Sequence, residues 1–173
     1  MDGTLRALAV NRWLSNVDSY SGTGDNLYLY QDRSGRFRYI PWDLNRAFGN
    51  YHGKYSYYFT DDLLELDPDK PLRVGPRLLV DRLLGVEEFR QRYHAHLQEL
   101  IDSVLHPDAV AQRMQTLRDL IWDRAHEDAL KGFENEEFEA AFTRDVPEEG
   151  NPERAPGLVP FFQARDRVVR DAL

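Results

Sequence analysis

Hydrophobic and polar positions follow two different periods along the chain. Residues 5–14 are predicted to form a helix, because apolar residues recur at helical spacing at Leu5, Leu8, Ala9 and Trp13. The stretch 18–26 that follows is rich in Ser, Gly and Asp and is predicted to be a loop. Residues 26–30 and 37–40 are rich in aromatic and aliphatic residues and flank a polar turn containing Gly35. This arrangement is typical of a β-hairpin.

Beyond residue 75 the pattern is helical. Helices are predicted at 76–84, at 87–105, at 135–142 and at 158–173. Another helix is predicted to follow residue 105, with Pro107 in its first turn. Residues 145–157 contain three prolines and two glycines and are predicted to form a loop. The predicted fold class is α+β, mainly α, with an early β-hairpin followed by packed helices in one domain over residues 1–173.

Composition excludes several classes of protein. The 173 residues include 22 Lys plus Arg and 30 Asp plus Glu, which gives a formal net charge of −8. This balance argues against a nucleic-acid-binding protein, because phosphate neutralisation needs clustered Lys and Arg. Hydrophobic residues make up 42% of the chain, yet no apolar run is long enough to predict a transmembrane segment. The lack of cysteine excludes disulfides and thiol catalysis. The N-terminus shows no secretory signal, and neither observation identifies the cellular compartment.

Two acids and an amide surround the predicted hairpin: Asp18 before it, Asn26 at its entry and Asp43 just past its exit. The two ends of a hairpin lie side by side, about 4.8 Å apart, so groups at both ends can share one metal ion. Mg²⁺ prefers such oxygen ligands, and protein kinases use the same order of parts. Structural roles also remain open: Asp18 as a turn cap, Asn26 as a strand-entry residue and Asp43 as the N-cap of a helix over 44–48.

Three blocks of sequence carry a more specific resemblance. They are residues 11–18 (Asn-Arg-Trp-Leu-Ser-Asn-Val-Asp), 25–30 (Asp-Asn-Leu-Tyr-Leu-Tyr) and 39–49 (Tyr-Ile-Pro-Trp-Asp-Leu-Asn-Arg-Ala-Phe-Gly). In this order and spacing the blocks resemble the spore-coat protein H (CotH) kinase family. Residues 78–93 and 158–165 are similar to the downstream helices of that family, so the resemblance covers most of the chain.

The resemblance implies an atypical kinase that transfers the γ-phosphoryl group of ATP to protein Ser or Thr, with Mg²⁺ or Mn²⁺ as the metal. By position, Asp18 is then the catalytic acid, while Asp43 and Asn26 are the cofactor-binding and metal-binding residues. Asn45 stands where many members have a second Asp, so one carboxylate of the metal site is missing. A protein substrate is the implied partner, and family members are often associated with the spore coat or cell surface.

The resemblance also predicts a further lobe. A kinase needs strands, a phosphate-covering loop and a Lys before its catalytic loop, whereas 17 residues precede Asp18 and the first Lys is Lys54. The chain is therefore expected to be either the C-terminal lobe of a longer protein, which is the favoured interpretation, or a truncated relative, and to be inactive alone. The alternative is a non-catalytic spore-coat, surface or adhesion module that keeps the kinase-like fold for protein binding.

The other conspicuous side chains are predicted to have structural roles. The Ser21–Gly24 stretch is predicted to be a flexible loop, and the five His residues show no zinc pattern. An aromatic cluster is predicted to pack an irregular loop against the core: Tyr51, Tyr55, Tyr57, Tyr58 and Phe59. A solvated acidic loop is predicted at Asp61, Asp62, Asp67 and Asp69. Surface positions or salt bridges are predicted for Arg165, Arg167 and Arg170.

Overall fold

The computed structural model describes residues 1–51, 63–69, 75–148 and 151–173. Within these residues the chain forms six α-helices and two antiparallel hairpins. In chain order the elements are α1 (Asp2–Trp13), β1 (Leu27–Gln31), β2 (Phe37–Pro41), α2 (Leu78–Leu84), α3 (Glu87–Asp102), α4 (Pro107–Glu127), α5 (Asn135–Ala140), β3 (Val146–Glu148), β4 (Asn151–Ala155) and α6 (Leu158–Ala172). The prediction of a mainly α fold with an early hairpin is confirmed.

The core lies where α1, α3 and α6 meet. The ring of Trp13 is completely buried and contacts Phe161 in an edge-on arrangement and Phe162 in a tilted one. Leu97 and Ile101 of α3 are also fully buried in the same cluster. Because large apolar side chains removed from water provide most of the driving force for folding, this helical cluster is the stable part of the molecule.

The β1–β2 hairpin is held by polar contacts at its turn. Asp32 accepts hydrogen bonds from the main-chain N–H groups of Ser34 and Arg36, from the Ser34 hydroxyl and from Arg38. These bonds, of which the Ser34 hydroxyl bond has the largest effect, lower the pKa of Asp32 to about 2. Tyr28 pairs with Ile40 in the ladder. The turn therefore fixes the register of the two strands and places their ends together.

Sequence and structure differ most at residues 145–157. The predicted loop contains the short strands β3 and β4, which pair with a shift in register, so this prediction is wrong. Proline is tolerated in such a ribbon because an edge strand can leave main-chain N–H groups unpaired. Helix boundaries also shift: α2 begins at Leu78 and α3 ends at Asp102, which leaves Val104 exposed beyond the helix.

Several predictions lie partly or wholly outside the described residues. Of the aromatic cluster, Tyr51 is described and is buried against Val17 and Leu66. The other aromatic residues of that cluster, and the first two acids of the predicted acidic loop, lie outside the described part: Tyr55, Tyr57, Tyr58, Phe59, Asp61 and Asp62.

Candidate functional site

The segment between α1 and β1 is a tightly folded turn. The amide of Thr23 donates to Val17 O at 2.9 Å, and the amide of Gly22 donates to Ser19 O at 3.0 Å. Ser19 and Ser21 are buried, with 2.9 Å between their hydroxyl oxygens. A Cβ atom at Gly22 would lie 2.0 Å from Val17 O, so only glycine fits at this close approach of two main chains. The Ser21–Gly24 stretch is thus packed against its own loop.

This turn presents Asp18 toward the entry of the hairpin. Asn26 Nδ2 donates to Asp18 O at 2.7 Å, and the Thr23 hydroxyl donates to Asp18 Oδ1 at 3.4 Å. The pKa of Asp18 is raised, chiefly by partial burial and further by the nearby carboxylates of Asp25 and Asp43, while the hydrogen bonds from Thr23 and Asn26 act in the opposite direction. The negative charge of Asp43 therefore acts on Asp18 across the hairpin ends.

Asp43 lies at the other end of the hairpin. The amide of Trp42 donates to Asn26 O at 3.1 Å, which joins the entry of the hairpin to its exit. Asp43 precedes a short 3₁₀ turn (Leu44–Arg46), but its side chain makes no capping hydrogen bond and is exposed. The predicted helix over 44–48 is thus a single 3₁₀ turn, and the carboxylate of Asp43 is available for another contact.

Both ends of the hairpin have left-handed backbone conformations. The φ angle is +56° at Asn26 and +50° at Asp43. Non-glycine residues occur rarely in this region, although Asn and Asp adopt it more readily than most. Such backbone strain clusters at functional sites, where the surrounding structure maintains it.

The side chains at the hairpin ends offer oxygen ligands. In the part of the chain that the structure describes, no group of three His, Asp or Glu side chains could hold a metal ion. The available set is the carboxylates of Asp18 and Asp43 and the amide of Asn26, whose nitrogen faces Asp18 O and whose oxygen is therefore directed away from it. Mg²⁺ commonly binds one or two carboxylates together with waters and substrate phosphates. Carboxylate and amide oxygens are the kinds of donor that such an ion uses.

Sequence reasoning missed one basic residue beside the site. Arg77 Nη2 donates to Gly22 O at 2.9 Å, and a Cβ atom at Gly24 would lie 2.8 Å from the same nitrogen. Arg77 therefore covers the loop that carries Asp18. The two segments are 55 residues apart in the chain, so no local pattern could indicate this contact.

The arginines of α6 separate into two groups. Arg167 pairs with Glu65, and Arg170 pairs with Asp102 at 2.9 Å and with Asp166. The predicted salt bridges are confirmed for these two. Arg165 is wholly buried and binds main-chain carbonyls, so the prediction of a surface position or a salt bridge is wrong for this residue.

The described histidines pair with acids rather than with one another. His94 contacts Asp69 at 2.8 Å and His96 contacts Asp2 at 2.9 Å. The hydrogen bond that His126 Nε2 donates to the carboxylate of Glu139 is the main cause of a raised pKa at His126.

Comparison with known proteins identifies the family. The family model described as CotH kinase protein matches residues 1–154, which is most of the chain. The chain therefore belongs to the CotH kinase family and is a kinase-related protein. No curated protein and no solved structure matches it. The match includes Asp18, Asn26 and Asp43 but ends before α6, so the resemblance of residues 158–165 to the closing helix of the family stays a prediction.

No helix in the described part of the chain is both long enough and apolar enough to cross a membrane.

Proposed function

We propose that this chain is the catalytic-loop and metal-binding lobe of an ATP- and Mg²⁺-dependent protein kinase of the CotH type. The observation that carries the proposal is the position of Asn26 and Asp43 at the entry and the exit of one hairpin, with the Asn26 side chain bound to the main chain of Asp18. Membership of the CotH family supports the same conclusion. The order of a catalytic acid, an amide ligand and a second acid beyond a hairpin is the order that kinases use.

In this proposal each side chain has a separate role. Asp43 and the amide oxygen of Asn26 hold the metal ion, which would neutralise charge on the ATP phosphates when bound. Asp18 orients the attacking Ser or Thr hydroxyl and accepts its proton as the γ-phosphoryl group moves to that oxygen, leaving ADP. The raised pKa of Asp18 favours proton acceptance, because a more basic carboxylate is a better general base.

We further propose that a second lobe covers the nucleotide. Large apolar side chains of the hairpin are exposed, among them Tyr28, Tyr30 and Trp42. Although α1 packs against β2, these side chains stay exposed, and an exposed apolar surface of this kind favours a further covering element. The lobe described here is expected to bind ATP weakly without that cover.

The same exposed side chains favour a second candidate function, a non-catalytic module that binds another protein through the hairpin. Contiguous exposed apolar surface commonly marks a site of protein interaction. The two functions differ in what Asp43 does. A phosphoryl-transfer enzyme requires its carboxylate, whereas a binding module does not.

Replacement of one carboxylate tests the proposal. Asp43→Asn in the full-length natural protein should lower Mn²⁺- or Mg²⁺-dependent transfer from labelled ATP to a Ser/Thr peptide library by about a hundredfold or more. Asn tolerates the left-handed backbone at this position, so the fold should persist. The matched control is Asp123→Asn on the exposed face of α4, which should transfer normally. Near wild-type transfer by Asp43→Asn would refute the metal role, and no transfer by the wild type would favour the binding module.

A further inference from the structure

We propose that Arg165, in α6, is a positioning residue for the site formed by Asp18 and Asp43. Arg165 does not bind the acids. Its hydrogen-bond partners are main-chain carbonyls at the end of α1 and in the segment 63–66, and the loop that carries Asp18 follows α1 directly. The inference rests on the proposed function, because it concerns the same site. Arg165 lies beyond residues 1–154, so the family match assigns it no role.

The guanidinium group of Arg165 joins two separate pieces of main chain. Its Nε donates to Trp13 O at 3.0 Å and its Nη2 to Arg12 O at 3.3 Å, both in the last turn of α1. Its Nη1 donates to Leu64 O at 2.9 Å and to Leu66 O at 2.6 Å. The carbonyls at the end of a helix lack partners within the helix, and Arg165 supplies donors for two of them.

Burial makes these bonds consequential. The side chain of Arg165 has 0% of its surface exposed. Burial, with the nearby charge of Arg12 as the second cause, lowers the pKa of Arg165 to about 10, so the group stays a cation at neutral pH. The planar fork of arginine binds several acceptors in fixed directions, which the single ammonium of lysine cannot do. Loss of the fork would remove hydrogen bonds from these buried carbonyls, and an ammonium group could replace only part of them.

The residues that Arg165 binds belong to a larger connection, which we call the α1 junction (Arg12–Ser15). Leu14 O accepts a hydrogen bond from the amide of Phe48 at 2.8 Å. The Ser15 hydroxyl donates to Leu63 O at 2.6 Å. Thus consecutive residues of the junction bind α6, the segment around residues 63–66 and the chain that follows the hairpin.

Both acids extend from this junction. Asp18 comes three residues after Ser15, and Asp43 comes five residues before Phe48. The position of Asp18 relative to Asp43 therefore depends on the geometry of the junction. Arg165 holds that geometry from a distance, and a small displacement of the acids is enough to impair catalysis that depends on positioning.

Hydrogen exchange in the full chain tests this role without an assay of activity. Arg165→Lys should accelerate exchange of the Phe48 and Thr23 amides by about tenfold or more, because both amides bind carbonyls at or just after the junction. Amides in the middle of α4 should exchange at wild-type rates. The matched control is Arg167→Lys, on the same helix and paired with Glu65 in the exposed part of the 63–66 segment. It should leave all of these amides unchanged.

A folded Arg165→Lys variant with wild-type exchange at Phe48 and Thr23 would overturn the inference. Equal acceleration throughout the molecule, α4 included, would also overturn it, since that pattern indicates general destabilisation. If Arg165→Lys does not fold, Ser15→Ala carries the same test, because it removes only the hydroxyl bond to Leu63 O. Unchanged exchange in that variant would then contradict the role of the junction.

A kinetic measurement connects the junction to the reaction. In the full-length natural protein, Arg165→Lys should lower kcat about tenfold and leave the KM for ATP within about twofold, whereas Arg167→Lys should change neither. A wild-type kcat in Arg165→Lys would overturn the inference. Failure of the wild type to transfer phosphate would contradict the proposed function alone, while the exchange pattern would still decide whether Arg165 positions the two acids.

Discussion

The helical core and the β1–β2 hairpin are held together by different interactions. In the core, buried aromatic rings pack on one another, and Trp13, the last residue of α1, is fully buried against Phe161 of α6. In the hairpin, polar contacts of Asp32 fix the turn, and the aromatic side chains lie largely in solvent, with Trp42 58% exposed. Stability therefore resides in the core, whereas the candidate chemistry lies at the ends of the hairpin. Substitutions should separate the two properties.

Trp13 in the core and Trp42 beside the hairpin provide the largest contrast. Trp13→Ala should lower the free energy of unfolding by about 3–5 kcal/mol, because it leaves a cavity among the rings of the core. Trp42→Ala should cost less than about 1 kcal/mol, since its main ring contact is the edge-on one with Tyr28 at 5.6 Å. Urea titration of both variants measures the difference. Equal losses would contradict the division of the molecule into a stabilising core and an exposed hairpin.

Substitution of two glycines compares the packed loop that carries Asp18 with the exposed turn of the hairpin, and the expected losses of stability are smaller than for Trp13. Gly22→Ala should destabilise by about 3 kcal/mol, because the new methyl group would collide with the main chain at Val17. Gly35→Ala should cost about 1 kcal/mol, since its φ of +79° disfavours alanine but its surroundings have room. Thermal unfolding of the pair checks the order. A larger loss at Gly35 would show that the loop carrying Asp18 is more adaptable than its packing indicates.

The smallest predicted effect concerns the pH dependence of stability at Asp18. The pKa of Asp18 is raised in the folded protein. The protonated group therefore contributes fully to stability at a pH below its ordinary pKa of 3.8, and that contribution is lost as the pH rises through the folded pKa. Asp18→Asn does not titrate. The variant should therefore gain stability relative to the wild type as the pH is raised from 3 to 7.

The neighbouring acid gives an independent check of the same interaction. Asp43→Asn should lower the pKa of Asp18, because it removes a like charge that now raises it. NMR titration of the Asp18 carboxyl carbon measures this change. An unchanged pKa would mean that the two acids do not interact across the hairpin ends.

Local patterns predicted much of the fold and the order of the candidate site. Helical spacing indicated α1 and α6, and two aromatic runs around a Gly turn indicated the hairpin. The hairpin also explains why Asp18 and Asp43 could be predicted to approach each other. Residues close in sequence determine these features, so one chain is sufficient to see them.

Features that depend on distant contacts could not be predicted. Arg165 and Trp13 are 152 residues apart, and nothing in the sequence near either residue distinguishes this buried cation from the exposed arginines beside it. The β3–β4 ribbon was missed for a different reason. Its strands are short and contain proline, so composition favoured a loop, whereas pairing between the strands overrode that local preference.

Ligand-dependent thermal unfolding tests the central claim most directly, that the ends of the hairpin form a metal and nucleotide site. The full-length natural protein would be melted with and without Mn²⁺ plus ATP, alongside its Asp43→Asn variant and the control variant Asp123→Asn. A ligand present at about 100 times its dissociation constant stabilises a protein by about 2.7 kcal/mol. The account predicts a metal-dependent rise in Tm for the wild type and for Asp123→Asn, and no rise for Asp43→Asn. An equal rise in all three proteins would contradict it.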